Sequence, residues 1–328
     1  MSILARPPVA ALAAKTLQRL LALAQRRSAS KAPAPGRFPE FPGHTREIVI
    51  PTSVSPARAV VYLPEARKAE AKDAAPPPVH VNFHGGGFVL GHLELDDPLC
   101  RYLAAEAGVV VVNVDYVVAP QYPFPAPPRQ VFEVVQWVAA HGAEQGWDGG
   151  RLTVGGQSAG GSLAAAAARQ AFEQGGPPIA LQVLHYPPLD LVTGAKDKPA
   201  AIPKPMLRPW MGEVFDSAYV PDVPQRADRL VSPAHPLDDA DLSGIAPALV
   251  ITAEYDRLRA EGLRYAERLR AAGALAEYLE VSGVDHGYDL KESGTGAGTE
   301  NGTGTGAEKA REVYALIARH VRRATEGS

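Results

Sequence analysis

Between residues 44 and 290 the chain alternates short apolar runs with longer segments of helical spacing. Residues 47–50 and 59–63 predict two strands, and 79–83 a third that ends in glycines. Residues 97–107 predict a helix and 109–114 a β-branched strand. Residues 128–141 then read as helix, 152–154 as strand, 159–174 as an alanine-rich helix and 179–185 as strand. After an interruption, 248–252, 260–272 and 276–281 read as strand, helix and strand, and 309–322 as a last amphipathic helix. Strands alternating with helices imply a mostly parallel sheet covered on both faces. The first strands have no helix between them, so that edge is expected to be antiparallel. In such sheets ligands bind outside the carboxyl ends of the strands.

Four segments break the pattern. Residues 9–25 carry Leu12, Leu17, Leu20, Leu21 and Leu23 at helical spacing, with Lys15 and Arg19 between them and Arg26 and Arg27 beyond. This predicts an amphipathic helix packed on the body; the rival reading is a basic helix lying on a membrane surface. Residues 31–43 contain Pro33, Pro35, Pro39 and Pro42, which fit neither a helix interior nor a central strand, so they read as a linker. Residues 193–232 are rich in proline, with Trp210, Phe215 and Tyr219 and no strand pattern. Residues 293–306 are rich in glycine and threonine with almost nothing to bury, the composition of a flexible tether. The expected organisation is an N-terminal helix and linker over 1–44, then one α/β domain over 45–328 with an insertion at 193–232.

Composition narrows the function. The 328 residues include 33 basic and 36 acidic ones, a net charge of −3, without the cationic excess of a nucleic-acid binder. The single cysteine, Cys100, excludes a disulfide framework and any zinc site with two thiolates. No stretch approaches the roughly 20 apolar residues of a membrane span. Residues 9–14 are too short for the apolar core of a secretory signal, so the expected location is cytoplasmic.

The chemistry concentrates in a few glycine-rich stretches. Gly156-Gln157-Ser158-Ala159-Gly160 fits G-x-S-x-G, with a strand before it and a helix after it. A serine on so sharp a strand-to-helix turn projects its hydroxyl. Glycines two positions either side avoid collision across the turn, and the helix N-terminus favours developing negative charge. His84-Gly85-Gly86-Gly87-Phe88 directly follows the third strand. Its glycines let the backbone approach a substrate, so the amides of Gly85, Gly86 and Ala159 are candidates for an oxyanion hole. His84 reads as a residue that fixes this loop.

A base and its acid should follow the nucleophile in the order Ser, Asp or Glu, His. His286, in Gly283-Val-Asp-His-Gly287 after a predicted strand, is the candidate base; His185 falls inside a strand, His235 between prolines and His320 in the last helix. Asp256, just beyond residues 248–252, is the candidate acid, with Asp190 the runner-up and Glu254 a supporting residue. Asp285 adjoins His286 and cannot easily bend back to its ring. His80, His84 and His92 are too loosely spaced for a metal site, so no metal and no cofactor is expected.

Taken in this order, the motifs resemble the hormone-sensitive-lipase family of α/β-hydrolases, of the bacterial carboxylesterase type. The resemblance rests on His84 to Phe88, Gly156-Gln-Ser-Ala-Gly-Gly161, Asp256-Arg-Leu-Arg-Ala-Glu-Gly262 and His286-Gly-Tyr288. Asp115-Tyr-Val-Val-Ala-Pro120 and Pro123-Phe-Pro-Ala126 add to it, and it spans about residues 45–288. It implies an α/β-hydrolase fold with an eight-stranded sheet, a helical cap made of the N-terminal helix and the 193–232 insertion, and hydrolysis of small esters without a cofactor. The family usually has Asp where Gln157 stands, Arg at Val117, Glu at Gln121 and an acid near Arg129; its Asp-Pro-Leu-Arg-Asp loop reads Asp256-Arg-Leu-Arg-Ala260 here. These departures bear on substrate preference and loop rigidity, since none is a proton-transfer residue. The 293–306 tract has no counterpart in that pattern.

The expected function is a serine carboxylesterase acting on a small, uncharged ester with a short- to medium-chain acyl group. The alternatives are an acyltransferase on the same three residues and a non-catalytic ligand-binding protein of the same fold. No nucleic acid or membrane span is expected, and a homodimer is left open.

Overall fold

In the computed structural model, which describes residues 2–29, 38, 40–41, 43–64, 75–290 and 306–326, the chain opens with helix α1 (Pro7–Ala29). Strands β1 (His44–Ile50), β2 (Ala57–Leu63) and β3 (Pro78–Phe83) follow, then α2 (Asp97–Ala107), β4 (Val110–Asp115), α3 (Ala126–Ala140) and the single turn α4 (Gly142–Gln145). Next come β5 (Asp148–Gln157), α5 (Ala159–Gln174), β6 (Leu181–His185) and α6 (Pro209–Tyr219). The chain closes with β7 (Ala248–Ala253), α7 (Arg259–Ala271), β8 (Leu275–Val281) and α8 (Gly306–Glu326).

The eight strands form one sheet in the order β1-β2-β4-β3-β5-β6-β7-β8. β2 runs antiparallel to β1 and β4; from β4 through β8 every neighbour is parallel. Of these, β3, β4, β6 and β7 are buried almost throughout and mostly apolar, while the edge strand β8 is part-exposed and carries Glu277 and Glu280. Within β4, Val110, Val112 and Val114 join the core under α3, α5 and α7, while Val111 points to the other face, where α2 and α8 pack. Strand order reverses at β3, whose carboxyl end lies beside that of β5 with Phe83 opposite Gly156. A crevice at such a reversal is where open α/β sheets bind ligands.

Several elements differ in extent from the sequence reading, which also did not mark α4, and three of the differences have a local cause. α3 starts at Ala126, because Pro127 and Pro128 sit in its first turn, where a missing N–H costs nothing. β5 starts at Asp148; Asp148-Gly-Gly-Arg151 has no apolar run to mark it, yet Asp148 pairs with Pro78. The proline-rich 193–232 segment holds a helix, α6, with Pro209 at its N-terminus and Val214 and Ala218 buried. The scattered prolines flanking this segment obscured it. α1 packs against α6 and buries Ala10 and Ala14, leaving Leu12, Leu20 and Leu23 on its outer side. Gln18 of α1 donates to the carbonyls of Val89 (2.7 Å) and Ala119 (3.0 Å). Residues 30–37 and 293–305, read as linker and tether, lie outside the described residues. Among the described residues no helix is long and apolar enough to cross a membrane.

Candidate active site

Ser158 stands between β5 and α5 with φ 52° and ψ −124°, a conformation an L-residue holds only under constraint. The constraint is visible in its glycine neighbours. A Cβ on Gly156 would lie 2.3 Å from the Phe83 carbonyl oxygen of β3, and one on Gly160 would lie 1.8 Å from the same atom. The backbones of β3 and α5 touch there, and any side chain would force them apart. On the other side Gly85 meets the serine directly: its Cβ position is 3.7 Å from Ser158 Cβ. Gly87 has φ +61° and lies under the ring of Phe215 in α6, 2.4 Å from where a Cβ would be.

The structure brings together the three residues singled out for proton transfer. His286, in the turn after β8, has Nε2 3.0 Å from Ser158 Oγ. Its Nδ1 lies 2.7 Å from Oδ2 of Asp256, which follows β7. Leu258 N–H donates to the other oxygen of Asp256 (3.0 Å), fixing the carboxylate. Burial favours the neutral imidazole of His286, but the Asp256 carboxylate, through charge and hydrogen bond, and the charges of Asp285 and Asp289 outweigh it. The net direction is upward from the ordinary histidine value. A hydroxyl bonded to an imidazole whose far nitrogen faces a buried carboxylate is what general-base activation of a serine requires.

The surrounding residues hold this line in place. His84 is buried, with Nδ1 2.6 Å from the Gly85 carbonyl and its ring stacked on Tyr116 at 4.3 Å. Burial pushes it down to about 4, so it is neutral and braces the glycine loop. Glu254 accepts from Gly283 N–H (2.7 Å) and Ser282 Oγ (3.0 Å), tying the end of β7 to the turn that leads to His286. Asp190, the alternative acid, is committed elsewhere: it bonds Thr193 and, at 2.7 Å, Arg264. His185 bonds Tyr288, and Asp285 accepts from the Met206 amide at 2.6 Å. Gln121, where the family usually has Glu, pairs with the amide of Gln18 in α1 (2.8 Å).

A cleft with about 610 Å³ of empty space, its mouth included, opens at Ser158. Phe88, Pro188, Leu207, Phe215 and Leu258 form its apolar wall. Sequence reasoning missed its polar members. Lys198 is buried and pairs with Glu261 at 2.7 Å, while Arg257 donates to the carbonyls of Ala195 (2.8 Å) and Lys198 (2.5 Å). Burial pushes Glu261 up to about 7 against the pull of Lys198. A lysine among prolines and a glutamate within a helix carry no signal of each other. Among the described residues no cluster of three or more His, Cys, Asp or Glu side chains is arranged to hold a metal ion.

A mostly parallel sheet with this serine at the end of its central strand defines an α/β-hydrolase. A family model for the alpha/beta hydrolase fold matches residues 80–290. Esterase LipI of Mycobacterium tuberculosis is 37% identical over 252 residues, 74% of this chain and 74% of LipI. Carboxylesterase NlhH of the same species is 39% identical over 215 residues, 64% of this chain and 66% of NlhH. A hyperthermophilic esterase from the archaeon Pyrobaculum calidifontis superposes with a TM-score of 0.75 at 33% identity, covering 94% of this chain and 91% of that one. The chain belongs to the hormone-sensitive-lipase family of α/β-hydrolases and is a carboxylic ester hydrolase.

Proposed function

We propose that the protein is a serine carboxylesterase that hydrolyses small, uncharged esters with short to medium acyl chains. The observation that carries this reading is the hydrogen-bonded line Ser158–His286–Asp256 opening into the apolar-walled cleft. In the first half-reaction Ser158 Oγ attacks the ester carbonyl carbon while His286 Nε2 takes the hydroxyl proton. The oxyanion is received by the amides of Gly85, Gly86 and Ala159, the last at the N-terminus of α5. Collapse of the tetrahedral intermediate expels the alkoxide, which takes the proton from His286. Water, deprotonated by the same nitrogen, then attacks the acyl-enzyme, and Ser158 Oγ leaves with that proton. Asp256 keeps Nδ1 protonated and stabilises the transient imidazolium.

Substrate size follows from the walls. α6 and α1 together form a cap, with Phe215 over Gly87 and Phe88 stacked on Tyr219 at 3.9 Å. Lys198 and Arg257 line the cleft but are engaged by Glu261 and by backbone carbonyls; Arg208 and Asp216 are its other charged lining residues, and the acyl chain meets the apolar wall beside them. The test is hydrolysis of p-nitrophenyl esters of increasing acyl length by the wild type and Ser158→Ala, with and without an added alcohol. Short-chain turnover that disappears in the variant is the expected result. Alcohol ester as the main product would make the protein an acyltransferase, and no turnover in the wild type would make it a binding protein.

A further inference from the structure

Behind Ser158 and His286 lies a row of four buried groups that the mechanism above does not use. Gln157 Nε2 is 2.5 Å from Oδ1 of Asp96. Gln157 Oε1 is 2.6 Å from the Tyr186 hydroxyl, and that hydroxyl is 2.5 Å from Oδ1 of Asp289. All four residues are at most 3% exposed. The row touches the reacting groups at both ends of their line. Gln157 immediately precedes Ser158, and the Tyr186 ring packs edge-on against the His286 ring, centroids 4.7 Å apart.

Three contacts need three hydrogens. The Gln157 amide presents N–H to one neighbour and its carbonyl to the other, so it supplies one. The Tyr186 hydroxyl supplies a second. No donor remains for the third contact unless one carboxyl is a carboxylic acid. With the Gln157 nitrogen toward Asp96, the proton is on Asp289 and bonds the Tyr186 oxygen. With the amide turned over, it is on Asp96 and bonds the Gln157 carbonyl. Both arrangements require one proton.

We propose that Asp96, Gln157, Tyr186 and Asp289 form one hydrogen-bonded chain holding a single shared proton, and that this chain positions Ser158 and His286 for the esterase reaction. The groups facing it fit that count. On Asp96 they are the Asn82 amide of β3, at 2.9 Å, the Gly85 backbone N–H, Tyr116 and Cys100 of α2; Asp97 beside it is paired with Arg101. On Asp289 they are the Tyr314 hydroxyl of α8, at 3.0 Å, and His185 Nδ1 of β6, at 4.0 Å, with His286 and Tyr288 adjoining. Burial pushes His185 down to about 4, so it is no counter-ion at neutral pH. Burial likewise pushes Asp96 up to about 7, opposed by the Asn82 and Gln157 amides and aided by the Asp289 charge. Two ionised carboxylates sharing one buried chain would go uncompensated. Loss of the shared proton leaves two oxygens in contact with no hydrogen between them. Gln157 or Tyr186 must then move, and the reacting residues with it.

The inference rests on the esterase reading, and its test separates the two. The pH dependence of kcat/KM for p-nitrophenyl butyrate is measured with the full chain, beside infrared difference spectra. The wild type should show the carbonyl stretch of a protonated carboxyl at pH 7 and an alkaline fall in kcat/KM. In Asp96→Asn and in Asp289→Asn the new amide supplies the third hydrogen. Both should lose that band, and the alkaline fall should move up by about one pH unit or more. Gln157→Glu removes an N–H and adds a carboxyl, so the fall should move down by about one unit or more. Absence of the band from the wild type, or an alkaline fall unmoved in all three variants, overturns the proposal. If one asparagine variant does not fold, the band difference between the wild type and the other still decides, because the Glu261 carboxyl is common to both. A wild type that shows the band but hydrolyses no ester refutes the esterase reading alone.

Discussion

The floor and the roof of the cleft are built in different ways. At the floor, β3, β5 and α5 meet backbone to backbone: Gly156 and Gly160 both press on the Phe83 carbonyl, and Ser158 is held at positive φ. The proposed roof, the 193–232 segment with α1 packed on its helix α6, is attached mostly through side chains, beside one backbone bond from Phe124 N–H to the Tyr219 carbonyl (2.8 Å). Gln18 reaches the carbonyls of Val89 and Ala119, Arg257 those of Ala195 and Lys198, and Asp285 the Met206 amide. A backbone contact admits one residue type, whereas a side-chain contact can be made by many. The floor is thereby suited to fixed chemistry and the roof to variable selectivity, and substitutions in the two should fail differently.

The largest effect is expected at the floor. Ser158→Ala should lower ester turnover by about 10⁴-fold or more with an unchanged melting temperature. A serine-directed acyl phosphonate should label Ser158 in the wild type; labelling at Ser162 instead would move the nucleophile. Asp256→Asn should lower kcat by about 10⁴-fold, because Leu258 N–H holds the new carbonyl and the amide N–H then faces Nδ1, which fixes the wrong His286 tautomer. An effect below about tenfold would point to another acid.

Lys198→Met tests the roof by stability. It leaves Glu261 buried without its cation, at a cost of about 3 kcal/mol in denaturant unfolding. It should also leave residual turnover far above that of Ser158→Ala, and equal losses would erase the contrast between the regions.

The pH dependence links the two by sign. Neutral His286 is the active form, so kcat/KM should rise about tenfold per pH unit on the acid side, with a midpoint above the ordinary 6.5. Because the folded pKa is raised, the Asp256–His286 pair stabilises the fold fully below about pH 6.5 and loses that contribution as pH rises through the folded value. Asp256→Asn should therefore cost more stability at pH 5 than at pH 9, and an equal cost at both would refute the pairing.

The smallest effect belongs to α1. Deleting residues 1–30 should leave Ser158 reactive while raising KM for longer acyl esters, by about fourfold for each methylene that loses contact, near 0.8 kcal/mol. If chain-length preference is unchanged, α1 is not part of the cap. The exposed Leu12, Leu20 and Leu23 beside Lys15 and Arg19 would then favour the membrane-surface reading.

Much was legible in the sequence because local patterns carry it. Short apolar runs located all eight strands: the central ones are buried on both faces and need aliphatic side chains almost throughout, and the edge strands β1 and β8 keep enough β-branched and aliphatic residues to be seen. Glycine at 156 and 160 marked the elbow because steric exclusion there depends on a turn of five residues and one neighbouring strand. Chain order and strand ends pointed to Asp256 and His286, which the structure brings within hydrogen-bond reach of one another and of Ser158. α6 was not legible, because its prolines and aromatics give no periodicity until it is packed. The Lys198–Glu261 pair and the Asp96–Gln157–Tyr186–Asp289 row join residues 63 and up to 193 positions apart in the chain. Their hydrogen-bonding need is satisfied only by partners that the sheet order brings near. The sequence by itself thus determined the sheet, the sharp turn and the candidate reacting residues, all consequences of local sterics and burial. Only the tertiary structure decided which buried polar groups meet, because that depends on the order in which distant strands lie side by side.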